Sequence, residues 1–314
     1  MKEINEPLLN KVFKKAKKQG DINALTNLIR SIVSNFEQSG IGKDLFMDCI
    51  KELKKYNKYW WINYVWFRGE FILETLNKKD WETVLDSLLT VPNIDYHLEE
   101  ILSVVAKKFP IELINFFHKR IAIQTKKKRE ETYDAIPFDL HKLNDPLSQN
   151  AKIVIGEVIK WFKKEDWLYY WDGGHFLQVI FPAFHLELEK HLIKLLKSKN
   201  KNKAKIILYI LRSYKGEPFL HNVCKEFLKQ YPKNVKYKQE MFSILSQMGV
   251  VSGEYGFVEG YKKKKQEIQE WKNDKSKIIK EFTQEYENYL SKQIDYGEKR
   301  ADEDIEIRKR EFNS

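Results

Sequence analysis

Apolar residues recur at helical spacing through most of the chain, and this periodicity constrains the fold more than any other feature of the sequence. The segment ALTNLIRSIVSNF repeats apolar positions at i, i+3, i+4 and i+7 from Leu25 to Phe36, which is the spacing of one face of an α-helix. The sequence has no alternating β-branched runs joined by a two-residue hairpin turn. It therefore predicts an all-α protein.

Short breakers separate these helical segments and predict how the helices are connected. The pattern is interrupted at Gly20, Gly40, Asn77, Pro92, Pro110, Asn200, Gly216 and Pro232. Helices of about 12 to 20 residues joined by short turns form antiparallel hairpins. Successive hairpins recur at roughly the period of HEAT or armadillo repeats, which favours an α-solenoid of irregular HEAT/armadillo-like helical hairpins. A compact multi-helix bundle is the alternative.

One late segment resembles a HEAT repeat. In WKNDKSKIIKEFTQEYENYL, Asp274 precedes Ile278, Ile279 and Phe282 much as an aspartate precedes the second helix of a HEAT repeat. The segments share no strict consensus, and the resemblance therefore implies irregular stacking of helical hairpins rather than uniform repeats.

An irregular segment, KKKREETYDAIPFDLHKLNDPLSQNAK, interrupts the helical pattern near the middle of the chain. Pro137 and Pro146 each disfavour helix at the residue before them, while Phe138, Leu140 and Leu143 are apolar enough to pack. The expected organisation is an N-terminal helical-repeat block at 1–129, an ordered loop insert at 130–146 and a C-terminal helical-repeat block at 147–314.

Two short segments, YDAIPFDLH and the closing RADEDIEIRKREF, resemble the helical-repeat regions of bacterial anti-phage defence proteins, including those attached to signal-transduction NTPases. The resemblance implies a non-enzymatic protein-interaction scaffold or sensor subunit in bacterial anti-phage defence, with a protein partner. The resemblance assigns no catalytic residue to this chain.

Fragments of catalytic motifs occur, but each lacks residues that its chemistry needs. SGIGKDLF has the Gly-Lys pair of a phosphate-binding loop, yet Glu37 stands where the upstream glycine should be and Asp44 stands where a magnesium-binding Ser or Thr should follow Lys43. Gly40 and Gly42 are better interpreted as the end of one helix and the start of the next. The sequence contains no H-E-x-x-H or G-x-S-x-G motif and no kinase motif set. We therefore expect no cofactor and no catalytic site.

The densest group of candidate metal ligands is His185, Glu187, Glu189 and His191. On a helix His185 and Glu189 share a face while His191 points away from both, so a metal would need a further ligand from elsewhere. A solvated helix face is the favoured interpretation, and no metal site is expected.

The cysteines and the hydropathy pattern point to a cytoplasmic protein. Cys49 and Cys224 lie far apart and form no C-x-x-C pair, which suits a reducing compartment without a disulfide framework. The strongest apolar run, IILYIL, is far shorter than the roughly 20 residues of a membrane-spanning helix.

The segment EDWLYYWDGGHF carries the leading candidate binding cluster, formed by Trp167, Tyr170, Trp171, Asp172 and His175. These rings can stack on bases beside a flexible turn at the two glycines. Some DNA glycosylases use HEAT-like folds with aromatic residues and an acid in a basic groove, so a nucleic-acid-binding HEAT-like protein that recognises a base is the alternative function. The competing interpretation is that the rings pack in the core and the helix ends at the glycines. The segment KYWWINYVWF is interpreted mainly as core.

Lysine-rich runs accompany a net charge of +11. The candidate contact set for nucleic acid or a partner is Lys126, Lys127, Lys128 and Arg129. Similar runs are KKAKK at 14–18, KSKNKNKAK at 197–205 and KKKK at 262–265. If these runs line one side of a superhelix, they form an electrostatic track for phosphates. A solvated surface near the negative ends of helices is the competing explanation.

Overall fold

The computed structural model describes residues 6–124, 133–162 and 167–312. These residues form α-helices and short 3₁₀ turns and contain no β-strand, which confirms the prediction of an all-α fold. The chain divides into two units, Met1–Phe181 and Pro182–Ser314. Among the described helices, none is both long enough and apolar enough to cross a membrane.

The first unit contains the helices α1 to α11. Their bounds are α1 Glu6–Gln19, α2 Ile22–Ser39, α3 Lys43–Lys55, α4 Ile62–Arg68, α5 Glu70–Thr75, α6 Lys78–Leu88, α7 Tyr96–Lys108, α8 Pro110–Gln124, α9 His141–Ser148, α10 Ala151–Trp161 and α11 Trp167–Ile180.

These helices pack in two rows. In the first row, α3 packs on α1, α6 on α3, α8 on α6 and α10 on α8. In the second row, α4 packs on α2, α7 on α4, α9 on α7 and α11 on α9. Contacts such as α2 on α3, α7 on α8 and α10 on α11 join the rows. The core lies between them, where side chains such as Ile29, Trp81 and Phe117 have no exposed surface.

Polar caps and glycines set several of the helix ends. Asp21 and Asp95 accept hydrogen bonds from the first turns of α2 and α7, and Asn77 forms a reciprocal capping box at α6. Gly40 ends α2 with a φ of 62°, and Gly42 precedes α3 with a φ of 106°. Both angles lie in the left-handed region that favours glycine. The interpretation of SGIGKDLF as a helix end and a helix start is therefore confirmed.

The second unit contains α12 to α17. Their bounds are α12 Leu186–Lys197, α13 Lys201–Ser213, α14 His221–Gln230, α15 Val235–Leu245, α16 Gly256–Glu267 and α17 Lys277–Phe312, with 3₁₀ turns at Pro218–Leu220 and Gln269–Asn273. In this unit α14 packs on α12, α15 packs on α13, and α17 packs on both α14 and α16.

The segment expected to be a loop at 130–146 is partly helical. Its described part, from residue 133 onward, lies within the first unit. Helix α9 contains Pro146, although proline disfavours helix at the preceding residue. Leu143 and Leu147 lie one helical turn apart and are fully buried, and this burial stabilises the short helix. Leu140 and Leu143 pack as expected, whereas Phe138 is 83% exposed.

The turn expected at Gly173 and Gly174 is also helix, because both glycines lie inside α11 and are buried. A Cβ atom at Gly173 would come within 2.9 Å of Cζ of Phe162. The glycine therefore serves close packing between α11 and the end of α10, and it does not terminate the helix.

Candidate functional site

Helix α11 presents two tryptophans and a histidine along one face. Trp167 and Trp171 are 62% and 66% exposed, and the half-buried His175 follows four residues later. Residues four apart are neighbours on a helix surface. Tyr169 and Tyr170 are buried on the other side. The outward side chains of α11 therefore form a stripe of rings.

Phe138 extends this stripe from the segment before α9. Its ring centre lies 6.2 Å from that of His175. The next residue, Asp139, pairs with Nε2 of His141 at 2.5 Å. The exposed ring of Phe138 therefore lies beside His175.

A second group of rings lies at the start of α7. Tyr96 is 53% exposed, and its ring packs edge-on against Trp66 at 5.9 Å. Trp66 also stacks on His97, with ring centres 4.3 Å apart, and contacts the exposed Phe67. Nζ of Lys142 lies 5.1 Å from the centre of the Tyr96 ring, a cation–π contact.

Lys142, which follows Phe138 by four residues in the chain, contacts the second group of rings. Its ammonium contacts Tyr96, while its neighbour His141 pairs with the residue after Phe138. Nζ of Lys142 also lies 2.7 Å from Oε1 of Glu100, and this hydrogen bond lowers the pKa of Glu100. We define the aromatic surface as Trp66, Phe67, Tyr96, His97, Phe138, Lys142, Trp167, Trp171 and His175.

A buried arginine fixes the segment that carries Phe138. Arg120 on α8 has no exposed surface. Its guanidinium donates to carbonyl oxygens of the turn after α6 and of the segment before Phe138, namely those of Leu88, Leu89, Val91, Pro92, Asp134 and Ala135. A single side chain therefore ties two separate segments to α8.

Tyr133 strengthens the same junction. Its ring centre lies 4.6 Å from the guanidinium of Arg120, and its hydroxyl donates to the Leu89 carbonyl at 2.6 Å. The Asp134 N–H donates to the Pro92 carbonyl at 3.0 Å. Burial raises the pKa of Tyr133 to about 12 and lowers the pKa of Arg120. The Tyr133 phenol therefore stays protonated and keeps its hydroxyl as a donor.

A polar groove adjoins the aromatic surface. It has a volume of about 460 Å³ and is lined by Asn23, Thr26, Asn27, Trp60, Asn63 and Tyr64. Trp60 is 56% exposed. Oδ1 of Asn63 lies 3.3 Å from Nδ1 of His97, so the groove continues into the aromatic surface. Its carboxamides offer both donors and acceptors.

His185 and the two cysteines occupy structural positions in the described parts of the chain. Within the described residues no group of three or more His, Cys, Asp or Glu is placed to hold a metal ion. His185 instead caps α12, because its Nδ1 accepts from the Glu187 N–H at 3.1 Å. Burial raises the pKa of Cys49 and of Cys224 to about 12, so neither thiol ionises near neutral pH.

The structure separates the candidate residues of EDWLYYWDGGHF. Trp167 and Trp171 are exposed and His175 is half-buried on the aromatic surface, whereas Tyr170 and Asp172 are buried. Tyr170 packs against Phe162 with ring centres 5.6 Å apart, and it is not available for stacking on a ligand. Lys126, Lys127, Lys128 and Arg129 lie outside the described residues.

Several surface residues were not predicted as candidates. The sequence KYWWINYVWF favours a core position, and Trp61 is indeed buried, but Trp60 and Phe67 are exposed. Its ring density exceeds what one helical face can bury, since consecutive residues on a helix point in different directions. The high density of aromatic residues in this segment is therefore the sequence feature that indicates exposed rings.

Comparisons with protein-family models, with curated proteins and with solved structures find no match to this chain.

Proposed function

We propose that this protein is a non-enzymatic interaction scaffold and that a protein partner binds the aromatic surface of the first unit. The observation that carries the proposal is the exposure of linked rings, since Phe138, Trp167 and Trp171 are each more than half exposed. Single exposed apolar side chains are ordinary, whereas a connected group of them is typical of interaction sites. Tryptophan and tyrosine are also enriched among the residues that dominate binding at protein interfaces.

The groups beside the rings define the chemistry of the partner. Lys142 adds an ammonium that is paired with Glu100, and the adjoining groove adds the carboxamides of Asn23, Asn27 and Asn63. Carboxamides can pair with the N–H and C=O groups of an extended peptide. The partner segment is therefore an extended peptide that carries large apolar anchors.

The two rows of the first unit belong to an α-solenoid in this proposal. Each helix packs on its neighbour in the same row, and α2 to α3 and α7 to α8 join the rows, which is the contact pattern of stacked hairpins. In such an array each hairpin depends mainly on its neighbours. Leu25→Ala, which removes a fully buried side chain from α2, should lower amide protection from hydrogen exchange in α1 to α3 and leave α10 and α11 unchanged. A uniform loss across the unit contradicts the solenoid.

The cellular role is part of the same proposal. A sensor or partner subunit in bacterial anti-phage defence is supported by the resemblance of YDAIPFDLH and RADEDIEIRKREF to defence helical-repeat regions. A cytoplasmic location is supported by Cys49 and Cys224, which are both free and buried and suit a reducing compartment.

The proposal is tested by quantitative affinity purification from the native host with three versions of the chain. These are the wild type, Phe138→Ser with Trp171→Ser on the aromatic surface, and Val250→Ser with Phe257→Ser, which alters exposed apolar residues of the second unit. The partner should be captured by the wild type and by the control, and lost with the surface variant. Equal capture by all three contradicts the proposed site, and turnover of a defined substrate by the isolated chain contradicts a non-enzymatic role.

A further inference from the structure

Turns in the second unit bring lysines to one edge of that unit. The lysine edge consists of Lys197, Lys199, Lys201 and Lys203 between α12 and α13, Lys229, Lys233 and Lys236 around the next turn, and Lys275 before α17. The Tyr231 hydroxyl donates to the Asn200 carbonyl at 3.4 Å and joins the first two turns. The turn before α17 is joined to α14 by Asp274, which pairs with Lys225 at 3.3 Å.

Few charges of this edge are balanced by a neighbouring acid, and the acid that lies there, Asp274, pairs with Lys225 and also interacts electrostatically with Lys229. Within the described residues none of the lysines that define the edge forms an ion pair, and Lys199, Lys201 and Lys233 are exposed. The run at 262–265 differs. Nζ of Lys262 lies 3.1 Å from Glu298, and the buried Lys264 donates to the Gly216 carbonyl at 2.6 Å. The lysine edge therefore keeps its positive charge available to a ligand.

Two helix N-termini add to this positive potential. Helices α13 and α15 begin at the edge, where Asn200 and Asn234 cap them. Neither first turn contains an acidic residue, and both contain lysine. A helix N-terminus carries partial positive charge and favours acids. The expectation that the run at 197–205 lies at a negative helix end holds for Lys197 of α12, but Lys201 and Lys203 lie at the positive end of α13. The positive helix end repels these lysines, and binding of an anionic ligand reduces this repulsion.

We propose that the lysine edge binds the phosphodiester backbone of nucleic acid without regard to sequence. A site spread over several turns suits a polymer of phosphates better than a single phosphate group. Lysines act as point charges that displace condensed counterions, and the edge contains no arginine for bidentate recognition of a base. Val235 is its exposed large apolar residue, whereas a membrane-binding surface needs an extended apolar face.

This inference does not rest on the proposed function, because the lysine edge and the aromatic surface lie in different units. Variants at one site therefore report on that site alone. Loss of nucleic-acid binding with retained partner capture, or the reverse, distinguishes failure of one proposal from failure of the other.

The test is a fluorescence anisotropy titration of the full chain with a short duplex DNA, the matching single strand and an RNA of the same sequence. The edge variant combines Lys199→Gln, Lys201→Gln, Lys233→Gln and Lys236→Gln. The control combines Lys79→Gln, Lys107→Gln, Lys152→Gln and Lys292→Gln, which are exposed lysines outside the basic runs and without an ion pair among the described residues. Both variants remove the same charge, and their circular dichroism spectra and melting midpoints should match those of the wild type.

The wild type should bind at low salt, and the edge variant should bind at least about tenfold more weakly. Its slope of log affinity against log salt should fall by about 3 to 4, since each lost phosphate contact removes about 0.9. The control should stay within about twofold of the wild type. The relative affinities for the duplex DNA, the single-stranded DNA and the RNA identify which of these nucleic acids the edge prefers. Absence of binding, an equal loss in the control, or tighter binding to polyglutamate or to anionic vesicles overturns the proposal.

Discussion

The guanidinium of Arg120 lies 4.6 Å from the centre of the Tyr133 ring, and both side chains bind the turn that follows α6. Arg120 donates to the Val91 carbonyl at 2.8 Å, and Tyr133 donates to the Leu89 carbonyl at 2.6 Å. The irregular segment in the middle of the chain is therefore attached to α8 by a buried cation. This attachment positions Phe138 beside His175 and so builds part of the aromatic surface.

Arg120→Ala should strongly destabilise the protein. The substitution leaves buried carbonyl oxygens without their donor, and we expect the free energy of unfolding to fall by about 3 to 5 kcal/mol. Denaturant unfolding followed by tryptophan fluorescence measures this change. Arg30→Ala is the matched control, because its exposed guanidinium contacts a tyrosine ring at 5.4 Å and should contribute far less. Equal stabilities of the two variants would show that the Arg120 junction does not hold the segment.

Truncation of two adjacent residues of α11 should affect different properties, namely stability at Tyr170 and partner binding at Trp171. Tyr170→Ala creates a cavity and should lower the free energy of unfolding by about 3 to 5 kcal/mol, since Tyr170 is buried. Trp171→Ala should change it by less than about 0.5 kcal/mol while weakening partner binding by about 2 kcal/mol or more. Denaturant unfolding and a partner titration separate the two effects. A strongly destabilised Trp171→Ala variant would mean that this ring belongs to the core.

The sequence predicts those parts of the fold that depend on local information. Helical periodicity and breakers such as Gly40 and Asn77 act over a few residues, and the all-α fold and several helix ends follow from them. Exposure depends on which helix packs over a given face, and that information is not local. Periodicity consequently does not separate the exposed Phe138 from the buried Leu140.

Tertiary packing also accounts for the other differences between prediction and structure. Pro146 is accommodated in α9 because the neighbouring leucines are buried, and Gly173 remains helical because Phe162 packs against it. The aromatic surface combines residues from α4, α7, α9 and α11 with Phe138. Its members are far apart in the sequence, so only its α11 stripe was predictable from a single segment.

Two helical glycines should respond differently to a methyl group. Gly156 in α10 has no atom within 4 Å of the added Cβ, and Gly156→Ala should stabilise the protein by about 0.5 to 1 kcal/mol through helix propensity. Gly173→Ala gains the same propensity but forces the new methyl group against Phe162, and it should be destabilising. Thermal unfolding of both variants is the measurement. Stabilisation by both would indicate that α11 does not pack this closely on Phe162.

His221 should make stability depend on pH, because burial and the charges of Lys264 and Lys225 lower its pKa to about 4. Its Nδ1 accepts from Trp271 Nε1 at 3.3 Å, which requires the neutral ring. In the unfolded chain the pKa is about 6.5, so between pH 6.5 and 4 the unfolded state binds a proton that the folded state excludes. Stability is retained above this window and is lost as the pH falls through it, by about 2 kcal/mol at pH 4.5.

The variant His221→Gln keeps a hydrogen-bond acceptor for Trp271 and removes the titrating imidazole. The difference in unfolding free energy between wild type and variant should therefore change by that amount between about pH 7.5 and about pH 4.5. A difference that stays constant across this range would show that His221 titrates normally in the folded protein.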